Sequence, residues 1–231
     1  FVLPRDPQLE TWHGRRLGPE GAIEQLGFTA AFNIEDFPAR FMELLSRAKR
    51  LWYGFGQNPA LDQKLIANLS ALRKKIRLGI EPPHALMDPR PKLADQRRFK
   101  SEPELEFMRR AAAASSEGHL LAMAQCKPGM QEYELEALIH HCFRQRGCSD
   151  AGWSYPAIIA GGENACILHY TSNNKELRDG ELVLVDAGAE YQGYAGDITR
   201  TFPVNGKFSQ AQADVYEIVL AALKASTEIS R

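Results

Sequence analysis

An α+β fold is the class this sequence predicts: a smaller α/β domain at the start, then a domain in which helices come first and strands follow. Three observations carry the prediction. A chain of 231 residues, set against the ~150 residues of a typical domain, leaves room for one large or two modest domains. Cutting the chain at residue 98 leaves halves of formal charge +5 and −6, an asymmetry expected of two domains with different duties. After residue 101, two long amphipathic patterns give way to short runs rich in β-branched and aromatic residues.

The boundary is read near Pro91 to Ser101, where the segment 88–101 is rich in proline and charge and shows no periodic apolar face, so the expected domains are 1–98 and 99–231. In the first, residues 17–32, 36–48 and 61–76 follow apolar patterns of helical or mixed type around an apolar run at 50–55, the alternation of an α/β layer. Arg73, Lys74, Lys75 and Arg77 fall on an expected helix end, where positive charge suits the helix dipole.

The second domain opens on Ser101-Glu-Pro-Glu104, a capping box with proline in the first turn, and Leu105, Met108 and Ala112 continue at helical spacing. Lys127-Pro-Gly129 ends that helix. A second helix is expected from about 131 to 146, closed by Gly147. Strands are expected over 155–160, 165–169, 182–186 and 194–201. Ser209-Gln-Ala-Gln212 caps a final helix carrying Val215, Ile218, Val219, Ala222 and Leu223 on one side.

Composition excludes several classes of function. Lys plus Arg number 28 against 29 Asp plus Glu, and the formal charge is −1, so the chain has no overall attraction for nucleic acid or an anionic membrane. No stretch approaches the roughly 18 apolar residues of a membrane-spanning helix, and the first residues lack a secretory pattern. The 4 cysteines, Cys126, Cys142, Cys148 and Cys166, have neither scaffold density nor zinc spacing, which points to reduced thiols in a cytoplasm. Phe1 is not an initiator Met and Arg231 closes on an amphipathic pattern; an internal piece of a longer chain is expected.

The chemistry concentrates between residues 182 and 202. An apolar run ends in Asp186, a glycine-rich reversal follows, and a second run begins at Asp197. A tight hairpin centred on Tyr191 and Gln192 would pair 186 with 197 and place the two carboxylates face to face, about 5 Å apart at Cβ. Like charges so placed must be neutralised. Either one aspartate takes a proton or cations sit between the two, and such a spacing suits two divalent ions roughly 3.5–4 Å apart. Ordinary turn aspartates are the bland reading. Gly188, Gly193 and Gly196 would supply bulges or close backbone approach. His169, at the end of the run expected at 165–169, can bond an oxyanion, donate a proton or ligate a metal. His140 and His141 are consecutive and cannot converge on one ion from a shared helix face. His13, His84 and His119 have no ligand-type neighbour at useful spacing. No nucleophile elbow, Walker loop or dinucleotide fingerprint occurs.

His169-Tyr-Thr-Ser-Asn-Asn174, Arg178-Asp-Gly-Glu-Leu-Val-Leu-Val-Asp-Ala-Gly188 and Gly193-Tyr-Ala-Gly-Asp-Ile-Thr-Arg-Thr-Phe-Pro-Val204 resemble bacterial aminopeptidase P, the Xaa-Pro aminopeptidases of the pita-bread metallopeptidase group. Trp12-His-Gly-Arg-Arg-Leu-Gly18 and residues 98–101 extend the likeness over essentially the whole chain. The resemblance implies a pita-bread catalytic domain, incomplete here, and two manganese ions for which Asp186 and Asp197 are ligands. It implies that His169 binds substrate and transition state while a metal-bridging hydroxide attacks the bond before proline. Tyr155 is implied to line the pocket, and Trp12 to reach a site from a neighbouring subunit of a homo-oligomer. The family completes its site with a later His and two later Glu that this sequence does not contain, so the chain alone is expected to bind Mn²⁺ weakly and hydrolyse little. A prolidase-type Xaa-Pro dipeptidase and a metal-free peptide-binding protein of the same fold are the alternatives.

Overall fold

A computed structural model describes residues 1–148 and 152–229; Arg231 lies outside the described residues. The chain divides into two compact units, Phe1–Phe99 and Lys100–Arg231.

In the first unit, Asp6 accepts from the backbone N–H groups of Gln8 and Leu9 and so caps α1, Pro7–His13. Helix α2 covers Gly18–Leu26 and α3 covers Phe37–Arg47. Strand β1, Arg50–Trp52, pairs in parallel with β2, Ala85–Met87, and the crossover between them carries α4, Pro59–Arg73. Leu65, Leu69 and Leu72 of α4 recur at helical spacing and bury against Leu45 of α3, the α/β layering that the apolar pattern predicts. Arg73, Lys74, Lys75 and Arg77 are exposed, a solvated face. Residues 88–101, read as a linker, contain α5, Arg90–Arg98, which buries no residue. Asp88 makes this helix from local interactions: its carboxylate accepts from the Arg90 backbone N–H at 2.9 Å and pairs with the Arg90 guanidinium.

The second unit begins with α6, Glu102–Gln125, whose capping box is formed as expected: the Ser101 N–H donates to Glu104 Oε2 at 2.6 Å. Helix α7, Glu132–Gln145, follows with a second capping box from Gln131 and Glu134. Strands β3 (Ile158–Gly161), β4 (Leu182–Ala187) and β7 (Ile198–Pro203) form an antiparallel sheet with β4 in the middle. Along β4, Val183, Val185 and Ala187 are buried while Leu182, Leu184 and Asp186 are half-buried. The period of two sends the first set into a core with Ile159, Phe202, Ala114, Leu135, Ile139 and Phe143. Burying a side chain the size of Val, Leu, Ile or Phe stabilises the fold by roughly 1.5–3 kcal/mol. Asp186 is thereby directed to the opposite face, where Ile158, Ala160, Tyr170 and Leu184 form a smaller cluster. Two short strands, β5 (Glu190–Tyr191) and β6 (Tyr194–Ala195), make the hairpin tip. Helix α8, Gln210–Ile229, closes the described chain.

Three expected strands change in the structure. The run over 155–160 pairs only from Ile158, because Pro156 has no N–H to offer a ladder. The run at 165–169 is no strand: Gly162–Cys166 is a 3₁₀ turn and His169 lies in the turn after it. Asn164 and Tyr170, which flank the run, bond to a buried carboxylate described below. The run at 194–201 is broken into β6 and β7 at Gly196 and Asp197.

Candidate metal centre

The hairpin turns at Gln192 and Gly193, both left-handed with φ of 51° and 83°, the backbone a two-residue type I′ turn demands. Tyr191 therefore pairs with Tyr194, Glu190 with Ala195, Ala187 with Ile198, and Asp186 with Thr199. The expected pairing of 186 with 197 is corrected by two residues. A shift of two preserves the face, so Asp197 still projects toward the side that holds Asp186, as its diagonal neighbour.

Tyr155 shows that the carboxylates converge. Its hydroxyl lies 2.5 Å from Asp186 Oδ1 and 3.1 Å from Asp197 Oδ1, so one phenol bridges both. Burial, and then the hydrogen bond to Asp186, push the Tyr155 phenol well above its ordinary value, and at neutral pH it stays a proton donor. Asp186 is half-buried and Asp197 exposed.

The backbone around the pair is unusually close. A Cβ on Gly188 would lie 1.8 Å from the Gly196 carbonyl oxygen, and one on Gly196 would lie 2.3 Å from Ser115 Oγ. The close backbone approach expected of these glycines is what they provide. Ser154 sits in the gap, its hydroxyl 3.0 Å from the Gly188 carbonyl and 2.9 Å from that of Gly196, and its N–H donates to Gly188 at 2.9 Å. Ser115 of α6 accepts from the Ala189 N–H at 2.9 Å. His119, one turn along α6 and buried, has Nε2 3.0 Å from the Ala187 carbonyl, while its Nδ1 has no partner among the described residues. Burial holds its pKa down. Sequence spacing gave this histidine no role; it buttresses the end of the strand that carries Asp186.

His169 is exposed and makes no hydrogen bond to Tyr155, Asp186 or Asp197 among the described residues. Trp12, in the other unit, is 82 % exposed on α1.

Sequence reasoning missed Glu132. An acidic residue in the first turn of a helix ordinarily faces water and complements the dipole, so nothing in the sequence singles it out. In the structure it is fully buried. Oε1 accepts from the Gly161 N–H and Asn164 Nδ2 at 2.8 and 3.1 Å; Oε2 accepts from the Tyr170 hydroxyl and the Lys175 N–H at 2.7 and 2.9 Å. All the lone-pair positions of the carboxylate are used.

The donor set at Asp186 and Asp197 fits a hard divalent cation: carboxylate oxygens of two neighbouring side chains, with no lysine or arginine ion-paired to either among the described residues. No group of three or more His, Cys, Asp or Glu side chains suited to a metal occurs among the described residues, so the two aspartates form a partial set.

The sequence model of metallopeptidase family M24 matches residues 106–231, and that of the aminopeptidase P N-terminal domain matches residues 1–52. The chain is 45 % identical to the Xaa-Pro aminopeptidase of Escherichia coli over 100 % of its own length and 52 % of the relative's. It is 41 % identical to a Mus musculus Xaa-Pro dipeptidase over 58 % of its length and 28 % of the relative's. Its fold is similar to the solved proline aminopeptidase P II from Yersinia pestis, with TM-score 0.90, 47 % identity, and coverage of 98 % of this chain and 51 % of that one. The chain thus spans about half the length of these aminopeptidases.

Proposed function

Because the chain belongs to metallopeptidase family M24, which implies a divalent metal, we propose that the whole protein is a Xaa-Pro aminopeptidase, releasing the first residue of peptides with proline second. The observation that carries the reading is the Asp186–Tyr155–Asp197 cluster: two acidic groups on one sheet face, brought within reach of a single donor. Likeness to aminopeptidases over the full chain, against 58 % for the dipeptidase, favours the aminopeptidase over a prolidase.

In this proposal Asp186 and Asp197 would hold two Mn²⁺ ions together with donors from elsewhere in the whole protein. Bound there, the metal supplies Lewis acidity and a reactive water at neutral pH. Asp186, set by the central strand, and Asp197, set by the close packing of Gly188 and Gly196, keep their oxygens on one side of the sheet. Tyr155 retains its proton and lines the pocket beside them. His169, on its exposed turn, offers a ring N–H to the peptide carbonyl and to the negative charge that develops on it. Trp12 is proposed to meet the peptide from a neighbouring subunit of a homo-oligomer, a role its exposed indole allows. The 4 cysteines are free thiols among the described residues and no helix described is long and apolar enough to cross a membrane; both support a cytoplasmic location.

The experiment is cleavage by the full-length protein with Mn²⁺. Release of the first residue from a tripeptide with proline second is expected; cleavage confined to Xaa-Pro dipeptides overturns the reading in favour of the prolidase.

A further inference from the structure

Residues 161–175 leave β3, form the 3₁₀ turn, expose Ile167, Leu168 and His169, and return to the body of the second unit. Leu168 is 85 % exposed, so the crown of this segment packs on little. What holds it is concentrated at its base. Glu132 of α7 collects the Gly161 N–H at the start, Asn164 and Tyr170 in the middle, and the Lys175 N–H at the end. Three further backbone bonds join the return to the α6–α7 turn: the Glu132 N–H donates to the Lys175 carbonyl, the Leu177 N–H to that of Met130, and the Gly129 N–H to that of Leu177. Asn173, at φ 44°, is kept in its left-handed conformation by bonds to Ile159, Glu136 and Ala157. Tyr170, the residue after His169, is the one side chain in the crown's immediate sequence that is buried, and its hydroxyl ends on Glu132.

We propose that Glu132 is a positioning residue: through Tyr170 it sets where the exposed His169 stands. The inference rests on the substrate-binding role given to His169 above. Burying a carboxylate is costly, and four donors offset that cost only in one arrangement of the segment. Glu132 therefore selects a single geometry for a turn whose own crown contacts would not. Misplacement of a substrate-binding group by an ångström costs up to about a hundredfold in rate.

Two variants of the full-length protein test this. Tyr170→Phe removes one bond and leaves the ring packed. Glu132→Gln keeps the shape and turns one oxygen into a donor, against which the Lys175 N–H has no acceptor. Amide hydrogen exchange is expected to rise across 161–175 in both, with α6 and α7 unchanged. On a tripeptide with proline second, kcat is expected to fall about ten- to a hundredfold with KM changed little. In a His169→Ala background the same Tyr170→Phe change is expected to cost nothing further, because its effect is routed through the missing imidazole. Exchange unaltered over 161–175, or a rate loss that adds in full to that of His169→Ala, overturns the proposal. If the unsubstituted protein cleaves no such peptide, the functional reading fails, and the exchange measurement still decides whether Glu132 anchors the turn.

Discussion

Asp186 and Asp197 meet at one proton, the hydroxyl hydrogen of Tyr155, although Asp186 is paired across the sheet with Thr199 and not with Asp197. Both bonds to the phenol use Oδ1 of the carboxylate. Direct opposition would bring the two Cβ atoms to about 5 Å, closer than diagonal neighbours stand.

Removing one of the two proposed ligands tests the pair. Asp197→Ala in the full-length protein is expected to abolish metal-dependent peptide cleavage and to lower bound metal measured by elemental analysis. Cleavage that survives the substitution removes Asp197 from the site.

Metal affinity tests how far two carboxylates go unaided. Calorimetric titration of Mn²⁺ into these 231 residues is expected to show binding weaker than micromolar, since two side chains leave an ion's remaining coordination positions to water. A micromolar or tighter constant contradicts this.

Tyr155→Phe removes the shared donor from a negatively charged pair and is expected to destabilise the metal-free chain at pH 8 by about 1–2 kcal/mol. The folded phenol titrates above the unfolded one, so its contribution is complete below pH 10 and declines as pH rises beyond it. Chemical denaturation from pH 8 to 11 should therefore show the gap between the two proteins narrowing; a gap that widens contradicts the assignment.

At the start of α6, Glu104 accepts from the Tyr194 hydroxyl and from Ser101, and these bonds, the tyrosine's first, hold its pKa at about 2. A depressed folded value stabilises above the ordinary 4.5 and is lost as pH falls toward 2. Carboxyl NMR should find Glu104 titrating below the other glutamates, and Glu104→Gln should flatten the acid limb of the stability curve. Titration near 4.5 would mean that the bond from the hairpin tip is absent in solution.

Gly188→Ala places a methyl group against the Gly196 carbonyl. Backbone must move, at a cost of roughly 3 kcal/mol or more, and the midpoint of thermal unfolding should drop by several degrees. An unchanged midpoint would mean that the two strands are not this close.

Local chemistry determined much of this protein from the sequence alone. Ser101 with Glu104 and Ser209 with Gln212 marked helix starts because capping is decided within four residues, and the apolar run ending in Asp186 marked a strand. Asp186 and Asp197 stood out as a charge conflict for a hairpin whose register puts both on one face. Tertiary structure decided the rest. Whether the turn centred one residue earlier or later depended on Gln192 and Gly193 both adopting left-handed backbone, and that moved the pairing by two. The 3₁₀ turn before His169 stands where a strand was expected, and the segment around it is held by Glu132, some thirty residues away, which accepts from Gly161, Asn164, Tyr170 and Lys175. Spacing cannot disclose such a partner, since a buried carboxylate is recognised by its donors, and those come together only when the chain has folded.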